Sequence, residues 1–546
     1  MARTCFALIL ALVLSQRATA QSPEPERELM RDRIEQLRAN PELRIDGVRL
    51  AASRLVAQLY ERRGFALEWT SPASADQLVR AIAAVDGDGL DPEDYLRSAL
   101  ERARAAAASD PTPEARIDCD LLETEALVRL LYHLILGKDD PATFDPNWNF
   151  TRKLHANDPV AFVQEVIDSA DLYERIEREK PQLDFYLRLK AAYARERERA
   201  AAGGWKSLQT GPTLKPGVSD SRVPALRARF LASGDLAPDV SGGGESFDPA
   251  LAAAVQAFQA RHGLAADGAV GAGTLSELNV PIAARLSQLR VNLERARWLL
   301  HDLPAEFVLV NVAGFEVYFV RDGAVVWRAR AQVGKPYRAT PIFRAEMTYL
   351  VLNPTWTVPP GILAADILPA QRRDPGTLAR KGLEVVDMQG RVVPTSSIDW
   401  STATPSNFRY MLRQAAGPTN ALGRVKFMFP NSHSVYLHDT PSKDLFERSD
   451  RAFSSGCIRV ENPLELAALL LAGQKGWDRA ALDAAIAAGE TRTITLAKRV
   501  PVLLLYWTAW VDADNTLQLR RDLYGRDAKV SAGLAQPFRV RSRPKR

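Results

Sequence analysis

At Phe307 the spacing of apolar residues changes period, and one architecture cannot serve both sides of that boundary. Upstream, residues 78–85 and 121–136 carry apolar side chains at helical spacing in Ala-, Arg-, Glu- and Leu-rich sequence. Downstream, residues 307–312, 316–320, 325–331 and 347–352 alternate or run fully apolar and are rich in Val, Phe and Tyr, as strands are. Asp322-Gly323, between two of these runs, predicts a tight hairpin turn. The chain is therefore expected to be multidomain α+β, and 546 residues suffice for three or four domains.

Glycine and proline divide it further. Gly203-Gly204 and the Pro- and Gly-rich stretch 211–217 predict a linker that ends a helical scaffold over 24–205. A connecting helix, 283–304, leads into the mostly β domain, 305–500. Within that domain residues 358–420 leave the strand pattern: 362–372 reads as helix, and Arg373-Asp374-Pro375 and the Ser- and Thr-rich 395–406 follow. An insertion of this length beside a site is expected to be a cap or a plain surface excursion. Residues 501–546 read as a strand segment and a basic tail, and 539–546, with four Arg and one Lys, predicts a disordered end.

The N-terminus reads as an export signal. Arg3 precedes an apolar run, 6–14, and Ala18-Thr19-Ala20 is a small-x-small cleavage site, so the mature chain is expected to start at Gln21 in the periplasm or outside the cell. Cys5 lies ahead of the apolar run, which gives no support for a lipid-anchored terminus. Losing Arg3 and Arg17 lowers the formal charge from +5 to +3, a balance that selects no partner class and gives no reason to expect nucleic acid. Only Cys119 and Cys457 then remain. They could pair, but Cys119 lies in an amphipathic helical stretch, where a buried thiol is ordinary, whereas Cys457 lies in a Gly-containing turn. A thiol kept free in an oxidising compartment needs a reason such as catalysis.

Ser454-Ser455-Gly456-Cys457-Ile458-Arg459-Val460 leads through Asn462-Pro463 into the helical run 464–471, and Val435-Tyr436-Leu437-His438-Asp439 reads as a strand upstream. Gly456 allows backbone amides near Cys457 to approach a substrate and hold an oxyanion. A thiol is only partly ionised near neutral pH, so a base such as His438 is needed to make it a good nucleophile. Tyr436 shares a strand face with His438 and could serve the oxyanion, the substrate or the core. Arg459 could meet a substrate carboxylate or brace the turn. His433 has the opposite strand parity to His438, which argues against a metal pair, and no His-Glu-x-x-His run occurs.

Two resemblances follow from these residues. Residues 212–282 contain Phe258-Gln259, Arg261-His262-Gly263-Leu264, Asp267-Gly268, Gly271 and Thr274, and resemble the peptidoglycan-binding domain of type 1, a three-helix module. His262 is expected to pack or cap there. The Ser-x-Gly-Cys-x-Arg run with its upstream His resembles the L,D-transpeptidase catalytic domain of the YkuD type. Supporting pieces are Val333-Gly334-Lys335-Pro336, Thr340-Pro341, Asn353-Pro354-Thr355-Trp356, and Asn420-Ala421-Leu422-Gly423-Arg424-Val425-Lys426-Phe427. Most of that family has His where this chain has Ser455, and the large Gram-negative periplasmic subgroup tends to have Pro where it has Ala416.

The resemblance implies Cys457 as nucleophile and His438 as base, with Gly456, Ser455, Tyr436, Arg459, Trp356 and Asn420 around the oxyanion and substrate. It implies no metal or organic cofactor. The partners implied are peptidoglycan stem peptides and glycan, with other wall-synthesis enzymes as further candidates and carbapenems as inhibitors. The expected reaction is 3→3 cross-linking from a tetrapeptide donor with loss of D-Ala. An L,D-carboxypeptidase, a lipoprotein-anchoring transpeptidase and a non-catalytic wall-binding scaffold are the alternatives.

Overall fold

The computed structural model describes residues 24–150, 158–239 and 243–541. The expected signal peptide 1–20 with its cleavage site, Cys5, and the last residues of the basic tail lie outside the described residues.

Helices from Glu24–Ala39 to Asp184–Ala201 build the N-terminal part, with a two-residue ladder between β1 (Arg44–Ile45) and β2 (Val48–Arg49). Its central helix, Pro113–Leu136, starts on a Thr112 side chain that accepts from the Ala115 amide. Cys119 is buried on this helix and is free, as is Cys457, so the two do not pair. Three helices, Val223–Ser233, Pro249–Arg261 and Ala272–Leu278, close a small separate core around Phe230, Phe247, Leu251 and Phe258. His262 packs: its ring stacks 3.7 Å from Phe258, and its Nδ1 bonds the Phe258 carbonyl.

The connecting helix, Ile282–Leu299, does more than link. Asn292, Glu294 and Arg297 on it are fully buried. Arg297 pairs with Glu294 and also donates to the Asp88 carbonyl, which ties the helical part to this axis. A buried guanidinium needs such partners, since removing one leaves a charge stranded.

The β-rich domain is a closed sheet. Its strands are β3 (Glu306–Asn311), β4 (Glu316–Arg321), β5 (Ala324–Gly334), β6 (Phe343–Leu352), β11 (Val425–Met428), β12 (Leu437–His438), β14 (Ile458–Val460) and β15 (Arg492–Leu505). They pair in the order β5-β14-β12-β11-β6-β15-β3-β4, and β4 pairs again with β5; β13 (Ala452–Ser454) adds beside β5. The uninterrupted apolar run of β3 has a cause. Val308 and Val310 face the sheet core, whereas Phe307 and Leu309 pack on the outer face with Leu289, Leu293 and Leu503, so both faces are buried. Asp322 and Gly323 both take positive φ in the hairpin between β4 and β5, as its two central positions require.

Between β6 and β11 the chain leaves the barrel for a cap with its own four-stranded sheet. The sheet contains β7 (Trp356–Thr357), β8 (Leu383–Val386), β9 (Val392–Val393) and β10 (Met411–Gln414), in the order β7-β10-β8-β9. The cap helix widens to a π turn at Leu363–Ile367 just before Pro369, which has no amide hydrogen to give to an α ladder.

The C-terminal segment continues through β16 (Ala509–Val511) and β17 (Leu517–Leu519) and the helix Asp527–Leu534. The expectation of disorder from residue 539 is corrected here as far as Arg541. Phe538 stacks on His133, with ring centroids 4.6 Å apart, and lies under Arg129. The Arg541 guanidinium donates to the carbonyls of Leu136, Gly137 and Asp139. A cation at a helix C-terminus meets unpaired carbonyls and the negative end of the helix dipole, which composition alone does not reveal.

Candidate active site

The register of three strands assembles the site. Lys426 on β11 lies opposite His438 on β12, and His438 lies opposite Arg459 on β14. Strand alternation puts these three side chains on one face, while Leu437 and Ile458, which are fully buried, point into the sheet core. Tyr436 and Cys457, two residues before His438 and Arg459, fall on the same face as that row. The Tyr436 and His438 rings sit 5.6 Å apart.

His438 is buried, and its Nδ1 meets the carbonyl of Asp439. A carbonyl only accepts, so Nδ1 carries the hydrogen and Nε2 keeps its lone pair. Asp439 is itself held, since its carboxylate accepts from the Arg424 amide and pairs with Lys443. Burial, then Arg459, then Lys426 push the imidazole down to about 3, against the pull of the Asp439 carbonyl. The ring is therefore neutral at physiological pH.

Cys457 is half-buried, with Sγ 3.7 Å from the Ser434 carbonyl. Burial pushes its thiol up, while hydrogen bonds from Tyr436 and the charge of Arg459 pull the other way. Its turn is tightly tied. Gly456 has φ +117°, the Gly456 amide donates to Ser454 Oγ at 3.1 Å, and Ser454 Oγ donates to the Cys457 carbonyl at 2.6 Å. The Gly456 amide is thus already engaged and is not a free oxyanion donor. The glycine's contribution is its left-handed backbone, which other residues rarely adopt.

Among the described residues Arg459 neither pairs with a carboxylate nor braces the turn directly. Nη1 donates to Gln332 at 3.1 Å, Nε is buried with no partner, and burial pulls the guanidinium below its usual range. Lys426 is similar: burial alone lowers its ammonium, which lies 5.8 Å from the Tyr436 ring. Ser455 accepts from Arg338 at 2.8 Å, and Arg338 also forms an ion pair with Asp366 of the cap at 2.6 Å. His433 turns away and packs on Phe343 at 4.9 Å.

Two expected site residues have structural partners of their own. Trp356 is half-buried against the cap core. Asn420 is buried, donates to the carbonyls of Gln414 and Ala415, and accepts from the Leu422 amide. With both ends of its amide in use, Asn420 shapes its own turn. Lys426, Arg338 and Thr340 bear on the site without having been assigned roles from sequence. The alternation in Val425-Lys426-Phe427 was the available signal for Lys426, because it sets the Lys apart from two core neighbours.

Comparison with known proteins agrees with this layout. Residues 305–477 match the L,D-transpeptidase catalytic domain, YkuD. Residues 54–192 match a scaffold domain, and residues 219–278 match the "Putative peptidoglycan binding domain". The chain carries an L,D-transpeptidase catalytic domain of the YkuD type together with a peptidoglycan-binding domain. It is 37% identical over 224 residues to a Haemophilus influenzae protein described as "Putative L,D-transpeptidase", which covers 41% of this chain. The match spans 45% of that relative's length, about half. A solved L,D-transpeptidase in complex with imipenem aligns at 16% identity over 37% of this chain and 59% of its own, with a TM-score of 0.18. The L,D-transpeptidase from Xylanimonas cellulosilytica aligns at 15% identity over 54% of this chain and 99% of its own, with a TM-score of 0.17.

Proposed function

We propose that this protein is an exported cysteine L,D-transpeptidase that forms 3→3 cross-links in peptidoglycan. The observation that carries the reading is the strand register that sets a neutral imidazole, with Nε2 unprotonated, on the same face as the Cys457 thiol.

His438 Nε2 takes the thiol proton as Sγ attacks the carbonyl of the third residue of a tetrapeptide stem. The Cys457 amide and the Tyr436 hydroxyl receive the oxyanion. On collapse the C–N bond breaks, the imidazolium returns its proton to the departing D-Ala amine, and a thioester remains. The side-chain amine of a second stem then attacks the thioester, loses a proton to His438 and expels the thiolate. Lys426 and Arg459, which have no carboxylate partner among the described residues, would hold stem carboxylates beside the reacting bond.

Purified enzyme incubated with tetrapeptide muropeptides and analysed by mass spectrometry tests this. Cross-linked dimer with a Cys457 thioester supports it, tripeptide alone would make the enzyme a carboxypeptidase, and transfer to a lipoprotein lysine would make it an anchoring enzyme. Cys457→Ala must abolish turnover while the fold persists, and His438→Ala should cost about 10²-fold or more. A carbapenem, whose strained lactam carbonyl is an acyl donor, should add covalently to Cys457. Periplasmic fractionation with N-terminal sequencing beginning at Gln21 tests export.

A further inference from the structure

The C-terminal segment, which lies beyond the residues matched to the catalytic domain, reaches a loop beside the Cys457 turn through the Tyr524 hydroxyl. The Tyr524 phenol donates to the Gly334 carbonyl at 2.6 Å and accepts from the Thr340 amide at 3.2 Å. It thus ties together the two ends of the loop 334–340. That loop is a strap across the Cys457 turn. The Lys335 amide donates to the Ser454 carbonyl at 3.1 Å, and the fully buried Thr340 hydroxyl donates to the Gly456 carbonyl at 2.9 Å. Thr340 Oγ1 in turn accepts from the Gly334 amide at 2.9 Å. There is no slack at Gly334, where a Cβ would meet the Arg338 carbonyl at 2.1 Å.

The Gly456 carbonyl and the Cys457 amide belong to one planar trans peptide. Whatever fixes the carbonyl therefore fixes the direction of the Cys457 N–H, which points the opposite way. We propose that Tyr524 is a positioning residue which, through Thr340, aims the Cys457 amide at the oxyanion of acyl transfer; this rests on the transpeptidase reading of Cys457.

Tyr524 is itself well braced. Its ring stacks on Tyr506 at 5.5 Å, and its amide donates to the Tyr506 hydroxyl at 2.8 Å, which donates to Asp522 at 2.7 Å. Arg526 lies over both rings and reaches Asp145 of the helical part at 2.6 Å. The helical scaffold thereby has a continuous contact path to the strap.

The test compares two reactions of the full-length chain. Iodoacetamide alkylates Cys457 without an oxyanion hole, whereas a carbapenem or a tetrapeptide donor needs one. An oxyanion donor is worth about 10²–10³ in kcat, so in Tyr524→Phe acylation should fall by about 10-fold or more, with KM within about twofold, because the interaction forms only in the transition state. Alkylation should stay within about threefold of wild type, since it lacks that transition-state demand. Thr340→Val should show the same split, Thr340→Ser should recover most of the loss, and the double variant Tyr524→Phe/Thr340→Val should lose no more than either single one. The Thr340 pair decides the matter if Tyr524→Phe does not fold. Acylation within about threefold of wild type, or equal losses in acylation and alkylation, would overturn the proposal, because then no transition-state donor has turned away. A wild type acylated by neither donor overturns the transpeptidase reading, and this one with it.

Discussion

His438 lies opposite Arg459 across the parallel pair β12 and β14, so a neutral imidazole is held beside a guanidinium that has no carboxylate partner among the described residues. Burial and this charge hold the imidazole down to about 3. The unfolded state takes up a proton near pH 6.5 that the folded site refuses, so the contribution of His438 to stability is present above pH 6.5 and is lost as pH falls toward 3. Nitrogen NMR of labelled protein should show the neutral tautomer with hydrogen on Nδ1 from pH 8 to pH 5. Arg459→Gln should raise the titration point. Protonation of wild-type His438 near pH 6.5 would contradict the assignment.

Arg338 bridges Asp366 of the cap and Ser455 of the Cys457 turn. Asp366→Asn keeps the shape but removes the charge that holds the cap down. Bulky maleimides should then label Cys457 faster, by about threefold or more, in keeping with the modest strength of a half-exposed ion pair. An unchanged labelling rate would show that this ion pair does not govern access.

What could be read from the sequence depended on how local the cause was. The change of period at Phe307 falls within one residue of the start of β3 at Glu306, because a strand buried on both faces must be apolar throughout. That Tyr436, His438, Cys457 and Arg459 share one face was legible, because strand alternation puts residues two apart on the same side. The expected strand 435–439 shrinks to Leu437–His438, since Ser434 takes φ +54° and bends the chain just before it. Trp356 and Asn420 stood in the supporting motifs, and the contacts they make in the cap core and in the turn at 414–422 left no pattern to read. Arg541 and Tyr524 find their partners 405 and 190 residues away, at Leu136 and Gly334. Neither contact leaves a local pattern.

In the helical part Glu123 is buried beside Asp120, and burial pushes its carboxyl up to about 8, with Arg104 only partly opposing. A carboxyl raised above its unfolded value supports the fold below about pH 4, and that support is lost as pH rises through about 8. Glu123→Gln should leave the melting temperature unchanged at pH 5 and stabilise the protein by at least about 1 kcal/mol at pH 9. One pH unit between folded and unfolded titration is worth ~1.4 kcal/mol. Equal melting temperatures at pH 9 would show that Glu123 ionises without cost.

The peptidoglycan-binding module enters and leaves the rest of the chain at adjacent points. A Cβ on Gly204 would lie 2.7 Å from Ile282, the Trp205 indole donates to the Val280 carbonyl, and Leu208 and Asn279 exchange two hydrogen bonds. Residues 212–279 can therefore be replaced by a short Gly-Ser bridge without pulling the flanking helices apart. Outside this neck the module touches the β17 end, where Arg520 donates to the Arg261 carbonyl at 2.9 Å. None of these contacts includes Cys457 or His438. Binding energy from a remote module acts equally on ground and transition states, so under the proposed function it should lower KM for wall polymer and leave kcat alone. The bridged protein, confirmed folded by circular dichroism, should turn over soluble tetrapeptide donors within about twofold of wild type, while KM for intact sacculi rises by about tenfold, the signature of lost uniform binding. If soluble donors suffer as badly as sacculi, the Arg520 contact is transmitting the module's influence into the active site, and the tether reading fails.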